Sequence, residues 1–213
     1  MKKIIITLVC CCLTSIYSVK KCNAINIDEK NTINVLDVIN NPDEYPSVEM
    51  KKYSYEEYKD VIENDDNLSE SEKNRMIQKI STLQKSRNST YDYWTFRDTC
   101  KVTINYSCYP YFYVYTNFGG PSHEPSEFIK ILNANINRNY NGVSKQFGGT
   151  LYYNLENSRT IYWDVNGDFY NNGTTTAGGG IEVGIKESAT IKFSISGSSN
   201  HFSYCNKTGR IKI

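Results

Sequence analysis

The chain reads as an α+β protein with an N-terminal signal peptide, a short helical hairpin and then a mainly antiparallel β-sandwich-like domain. Three observations predict this. A basic start runs into an apolar stretch, two helix-capping signatures follow with helical spacing behind them, and the rest alternates with period two between Gly, Asn and Ser turns. The expected divisions are 1–24, 25–90 and 91–213.

Met1-Lys2-Lys3 supplies the positive start, and residues 4–19 are about sixteen mostly apolar positions. That is too few to cross roughly 30 Å of hydrocarbon as a helix, and it matches the core of a secretory signal. Small residues fit cleavage after Ala24 or, alternatively, after Ser18. The expected destination is extracellular. Left uncleaved, the same segment anchors the protein at the membrane facing outward, a reading Lys20-Lys21 supports because positive charge resists translocation. Cleavage after Ala24 leaves Cys100, Cys108 and Cys205 as the disulfide candidates, whereas cleavage after Ser18 also retains Cys22. Three cysteines give one bridge and one remaining thiol, four permit two, and spacing does not assign the pairing.

Residues 25–48 form a polar lead-in with breaks at Asn41-Pro42 and Tyr45-Pro46. Ser54-Tyr55-Glu56-Glu57 has the form of a capping box, with Tyr55, Tyr58 and Ile62 at helical spacing behind it. Ser69-Glu70-Ser71-Glu72 repeats the signal before Met76, Ile80 and Leu83. Two short helices over about 54–88 then form an antiparallel hairpin whose apolar stripe must be covered.

After Tyr91 the period becomes two. Cys100, Val102, Ile104 and Tyr106 alternate with polar neighbours and predict a strand. The aromatic run 109–115 contains Pro110, which predicts an edge strand or the start of one. Pro125 before Phe128, Leu132 and Ile136 predicts a short helix. Asn166-Gly167 predicts a type I′ turn joining strands 160–165 and 168–172, with Trp163 opposite Tyr170. Alternation over 181–185 and 189–195 predicts a second hairpin, and Phe202, Tyr204, Ile211 and Ile213 predict two closing strands around 206–209.

A formal net charge of +1, with no basic stripe, argues against nucleic acid as a partner. His123 and His201 are the whole histidine complement, so a site of three or more histidines is excluded. No nucleophile elbow, phosphate loop or dinucleotide fingerprint occurs. Asp164, Asn166 and Asp168 imitate the start of a calcium loop, but Phe169 stands where that loop needs Gly and Thr175 where it needs Glu. We therefore assign no catalytic residue, metal or cofactor.

The informative surplus is aromatic: 13 of the 18 tyrosines fall after residue 90. Tyr and Trp offer a large apolar face and a polar tip at little entropic cost, which suits sugars and protein surfaces as well as strand packing. Trp94, Tyr111, Tyr113, Trp163 and Tyr170 are the candidate ligand-binding residues, and the expected function is a non-catalytic module binding a glycan or cell-surface protein. An alternative reading takes 178–198 as an amphipathic hairpin of a membrane-damaging toxin or bacteriocin-like effector. A third is an extracellular hydrolase built from carboxylates such as Glu156, Asp164, Asp168 and Glu182, whose separations sequence does not measure.

Overall fold

The computed structural model describes residues 48–85, 91–119 and 124–213. The expected signal peptide, almost all of the lead-in and His123 lie outside these residues. The helices come first. α1 (Tyr55–Glu63) starts at Ser54, whose side chain accepts from the Glu57 N–H while the Glu57 carboxylate accepts from the Ser54 N–H, the predicted capping box. α2 (Glu70–Lys85) starts the same way: Ser69 N–H donates to Glu72 Oε2 at 2.9 Å and Glu72 N–H to Ser69 Oγ at 3.4 Å. Ser69→Ala is expected to cost about 1 kcal/mol in urea unfolding, the usual price of a lost cap.

The strands are β1 (Glu49–Tyr53), β2 (Tyr91–Arg97), β3 (Cys100–Thr103), β4 (Tyr106–Asn117), β5 (Phe128–Asn137), β6 (Asn139–Tyr140), β7 (Val143–Ser144), β8 (Gln146–Asn157), β9 (Thr160–Ala177), β10 (Val183–Gly184) and β11 (Ser188–Lys212). The first sheet has the antiparallel order β1-β2-β4-β5-β10, with β3 paired to the start of β4. The second sheet is made of β8, β9 and β11 and closes on itself. β11 flanks both partners: Ser188 to Phe193 pair with β8, and the remainder pairs with β9. The change of partner falls at Phe193, which stands opposite Gly149 of β8 and Ala177 of β9. Within the β9 pairing the register shifts near Gly197 and Asn200, which take φ of +59° and +56°.

One core fills the space between the sheets, around Trp94, Phe96, Phe112, Phe147, Leu151 and Trp163. A second lies between the helices and the outer face of the first sheet, around Tyr58, Ile62, Met76, Ile80, Tyr93 and Tyr113. The predicted helical stripe thus finds its cover, and Tyr58 Oη reaches through it to the carbonyls of Trp94 and Val114, both at 3.2 Å. The described residues form one compact unit, with the helices packed onto the sheet.

Several local expectations are corrected. The predicted helix over 125–136 is strand β5. Register shifts opposite Tyr113/Val114 and Tyr115/Thr116 insert Leu132 and Ile129 as extra residues, so the buried positions lose strict alternation and imitate helical spacing. Asn166-Gly167 makes no hairpin turn, because β9 runs straight through it, paired to β8 on one side and β11 on the other. Two continuous ladders outweigh a turn preference of two residues. Trp163 consequently faces Tyr153 and Gly209, and Tyr170 faces Gln146 and His201.

Residues 181–185 and 189–195 do not pair with each other either. Val183 and Gly184 join β5, whereas Ser188 to Phe193 join β8 with Ala189, Ile191 and Phe193 buried. The two expected closing strands are one strand with 206–209 inside it. Ile104 sits at a hairpin tip between β3 and β4, so the single strand predicted there is two. Pro110 lies in β4, a central strand between β2 and β5, instead of at an edge. Its carbonyl accepts from Asp98 N–H at 3.1 Å, at the corner where the neighbour of β4 changes from β3 to β2. Its missing N–H falls at that corner too, because both backbone groups of an antiparallel residue face the same neighbour.

Candidate ligand-binding site

Alternation in β4 puts Tyr109, Tyr111, Tyr113 and Tyr115 on the outer face of the first sheet, with Phe112 and Val114 pointing into the core between the sheets. The helical hairpin covers one end of this row. Tyr113 and Tyr115 are buried beneath it, while Tyr111 and Tyr109 are only partly covered. Arg97, cross-strand from Tyr111, lays its guanidinium 4.5 Å from the Tyr109 ring centroid and also pairs with Glu49. On β5, Asn135 and Asn137 stand opposite Tyr111 and Tyr109.

The loop between α1 and α2 overhangs this end and creates a hollow of about 270 Å³, lined by Val61, Asn64, Asp65, Asn67, Tyr111, Tyr113, Asn135 and Asn137. Its walls are fixed by hydrogen bonds. Tyr113 Oη donates to Asp65 Oδ2 at 2.6 Å, and Asp65 Oδ1 accepts from the backbone and side-chain N–H groups of Asn67, both at 2.8 Å. Asn135 Nδ2 donates to the Asn67 carbonyl at 2.8 Å, tying the loop to the sheet. Tyr111 packs edge-on against Tyr113 with ring centroids 5.1 Å apart. Burial pushes the Tyr111 and Tyr113 phenols well above the ordinary tyrosine range, Tyr113 further because the Asp65 carboxylate lies beside it. Both therefore remain neutral hydroxyls near neutral pH.

Comparison with family models, with curated proteins and with solved structures finds no match. The site must be read from its own chemistry.

Of the five candidate aromatics, the fold brings Tyr111 and Tyr113 together in this hollow. Trp94 lies on the opposite face of β2 and Trp163 on the inner face of β9, both buried in the core between the sheets, so neither presents a ring face to a ligand. Tyr113 is itself buried and contributes by orienting Asp65. Tyr170 is partly exposed on β9, edge-on to His201 at 5.4 Å, away from the residues that line the hollow. Asn64, Asp65, Asn67, Asn135 and Asn137 escaped the sequence reading. The alternation Asn133, Asn135, Asn137 was the available signal, hidden because the same stretch carries helix-like apolar spacing.

Three of the carboxylates considered for hydrolysis, Glu156, Glu182 and Asp168, are held by separate partners. Glu156 makes a two-pronged pair with Arg210, both contacts at 3.0 Å, Glu182 pairs with Lys79 and Lys130, and Asp168 lies 2.8 Å from His201 Nε2. The 164–168 run is extended strand, with Asn166 Oδ1 accepting from Tyr204 Oη at 2.9 Å. Among the described residues no group of three or more His, Cys, Asp or Glu is placed to hold a metal ion, and no helix is long and apolar enough to cross a membrane. Among the described residues the cysteines, Cys100, Cys108 and Cys205, are buried thiols.

Proposed function

We propose that the protein is a non-catalytic extracellular binding module and that the hollow between the α1–α2 loop and the first sheet takes a neutral glycan. The observation carrying this reading is the hollow itself, where the Tyr111 ring stands among four asparagine amides and one oriented carboxylate. Amides and carboxylates match the alternating donors and acceptors of sugar hydroxyls, and a phenol ring packs against the apolar C–H face of a pyranose. A rigid, hydrogen-bonded wall loses little entropy on binding.

The test is a glycan screen on purified protein with Tyr111→Ala and Asn137→Ala alongside. Each variant is expected to weaken binding about tenfold or more, in line with loss of an anchoring aromatic or amide contact. Thermal stability changes little in Asn137→Ala and falls in Tyr111→Ala, which also loses its packing against Tyr113. Retained affinity in both variants, or no glycan bound at all, would remove the reading.

A further inference from the structure

All three cysteines of the described residues meet at one point in the core between the sheets. Cys100 on β3 and Cys108 on β4 are directly opposed in the β3–β4 ladder. Cys205 arrives from β11 in the other sheet, and its Sγ lies 3.6 Å from that of Cys100. Each is at most 2 % exposed. Cys100 is the shared member, within reach of both partners, and the two pairings differ in consequence. A bond to Cys108 staples a hairpin already held by its own ladder. A bond to Cys205 ties together two sheets otherwise joined in this region by side-chain packing and the Trp163–Asp98 hydrogen bond, and it closes a loop spanning 105 positions.

We propose that Cys100 and Cys205 form an inter-sheet disulfide in an oxidising compartment, with Cys108 left as the reduced third thiol. The step balances with a low-molecular-weight disulfide as oxidant. The Cys100 thiolate attacks one sulfur of the oxidant, forming a mixed disulfide and releasing one thiolate; Cys205 then attacks the Cys100 sulfur, forming the Cys100–Cys205 bond and releasing the second. The protein thiols lose two electrons and two protons, and the oxidant leaves as two thiols.

Closure belongs to the folding chain. In the folded protein, hydrogen bonding to Cys108 and then burial push the Cys100 thiol well up, and contact with Cys100 followed by burial does the same to Cys205, so little thiolate is available there. The bond also lies where external reductant does not reach. Constraining a loop of this length favours the folded state chiefly by restricting the unfolded one.

The experiment is refolding of the full chain with oxidised and reduced glutathione, independent of export and of any glycan, followed by peptide mapping without reductant. The expected result is a peptide pair joining Cys100 to Cys205, retained in Cys108→Ala and lost in Cys100→Ala and Cys205→Ala. Wild-type protein folded in the oxidising buffer should melt roughly 10 °C above the same protein refolded in reductant. That comparison stands even where a cysteine variant fails to fold. A Cys100–Cys108 link, Cys100, Cys108 and Cys205 all unpaired after oxidative refolding, or equal melting temperatures would each overturn the proposal.

Discussion

Replacing Trp163 with Ala is expected to lower the unfolding free energy by about 3–5 kcal/mol, the range for deleting a buried aromatic side chain. Two structural commitments make this residue expensive. Its indole lies against Gly209 on the neighbouring strand, where an added Cβ would come within 2.3 Å of the ring. Its Nε1–H also donates to Asp98 Oδ2 at 2.8 Å in the buried interior, while Asp98 Oδ1 accepts from Thr99 N–H at 2.7 Å.

Trp163→Phe separates the two terms, because it keeps most of the ring and removes only the donor, with an expected cost of about 1–3 kcal/mol for the unpaired acceptor. Gly209→Ala attacks the other side by pushing the indole off its partner. Urea unfolding of the three variants checks the order, and a Phe variant as stable as wild type would show that the Asp98 contact contributes nothing.

Asp98 adds a pH signature. Burial raises its pKa above the ordinary 3.8, against the lowering effect of the Trp163 and Thr99 hydrogen bonds. The folded state therefore binds the proton more tightly than the unfolded chain does, and this residue's contribution to stability grows as pH falls through the raised folded value and shrinks as pH rises. Stability measured against Asp98→Asn should show that slope, and its absence would mean the carboxylate is better solvated than its surroundings indicate.

Glu72→Ala is the second large effect, expected at about 3 kcal/mol, and it should exceed the loss from Ser69→Ala although both remove the same cap. The carboxylate works on two sides. Oε2 closes the capping box with Ser69, and Oε1 accepts from Asn133 Nδ2 at 3.1 Å and from Gly180 N–H at 2.7 Å. It thereby fastens α2 both to β5 and to the segment leading into β10. Charged hydrogen bonds are worth about 1.5–3 kcal/mol each, and deleting the acceptor strands two partly buried donors.

A Cβ at Gly180 would sit 1.5 Å from Asn133 Oδ1, so a side chain there would displace the amide that bonds Glu72 and Ala134 N–H. Burial alone would raise the Glu72 pKa, but the hydrogen bonds from Ser69, Gly180 and Asn133 outweigh it and hold it below 4.5. The stabilisation is thus present above the unfolded value and is lost as pH falls through the lowered folded one. Amide exchange at Gly180 gives the local readout. It should accelerate in Glu72→Ala and stay slow in Ser69→Ala, and equal exchange in the two variants would reduce Glu72 to a cap.

The contrast between those two serine-led helix starts and the rest of the chain shows where sequence information ends. Both capping boxes and the buried positions Tyr58, Ile62, Met76 and Ile80 were readable, because a helix is specified by contacts three and four residues apart. The change to period two after residue 90 was readable for the same local reason. The partners of each strand were not. Asn166-Gly167 is an ordinary turn signal that two long ladders override, and the bulges in β5 turned a strand into the likeness of a helix.

The ligand-binding reading divides the same way. Four tyrosines on one face of β4 follow from alternation alone, so Tyr111 and Tyr113 could be named in advance. That Tyr113 would be covered and Tyr111 left open depends on how far the helical hairpin reaches across the sheet, and Trp94 and Trp163 were lost to the core because nothing local says which face of a strand is inside. The amino-acid sequence by itself determined the α+β class and both helices, through interactions within a few residues. Only the tertiary structure decided that Glu72 is an anchor as well as a cap, that Cys100 lies beside Cys205, and that asparagines from a loop and a distant strand share one hollow. Those are pairings between residues about 60 to more than 100 positions apart, and such pairings are set by the order in which strands assemble and leave no local pattern to read.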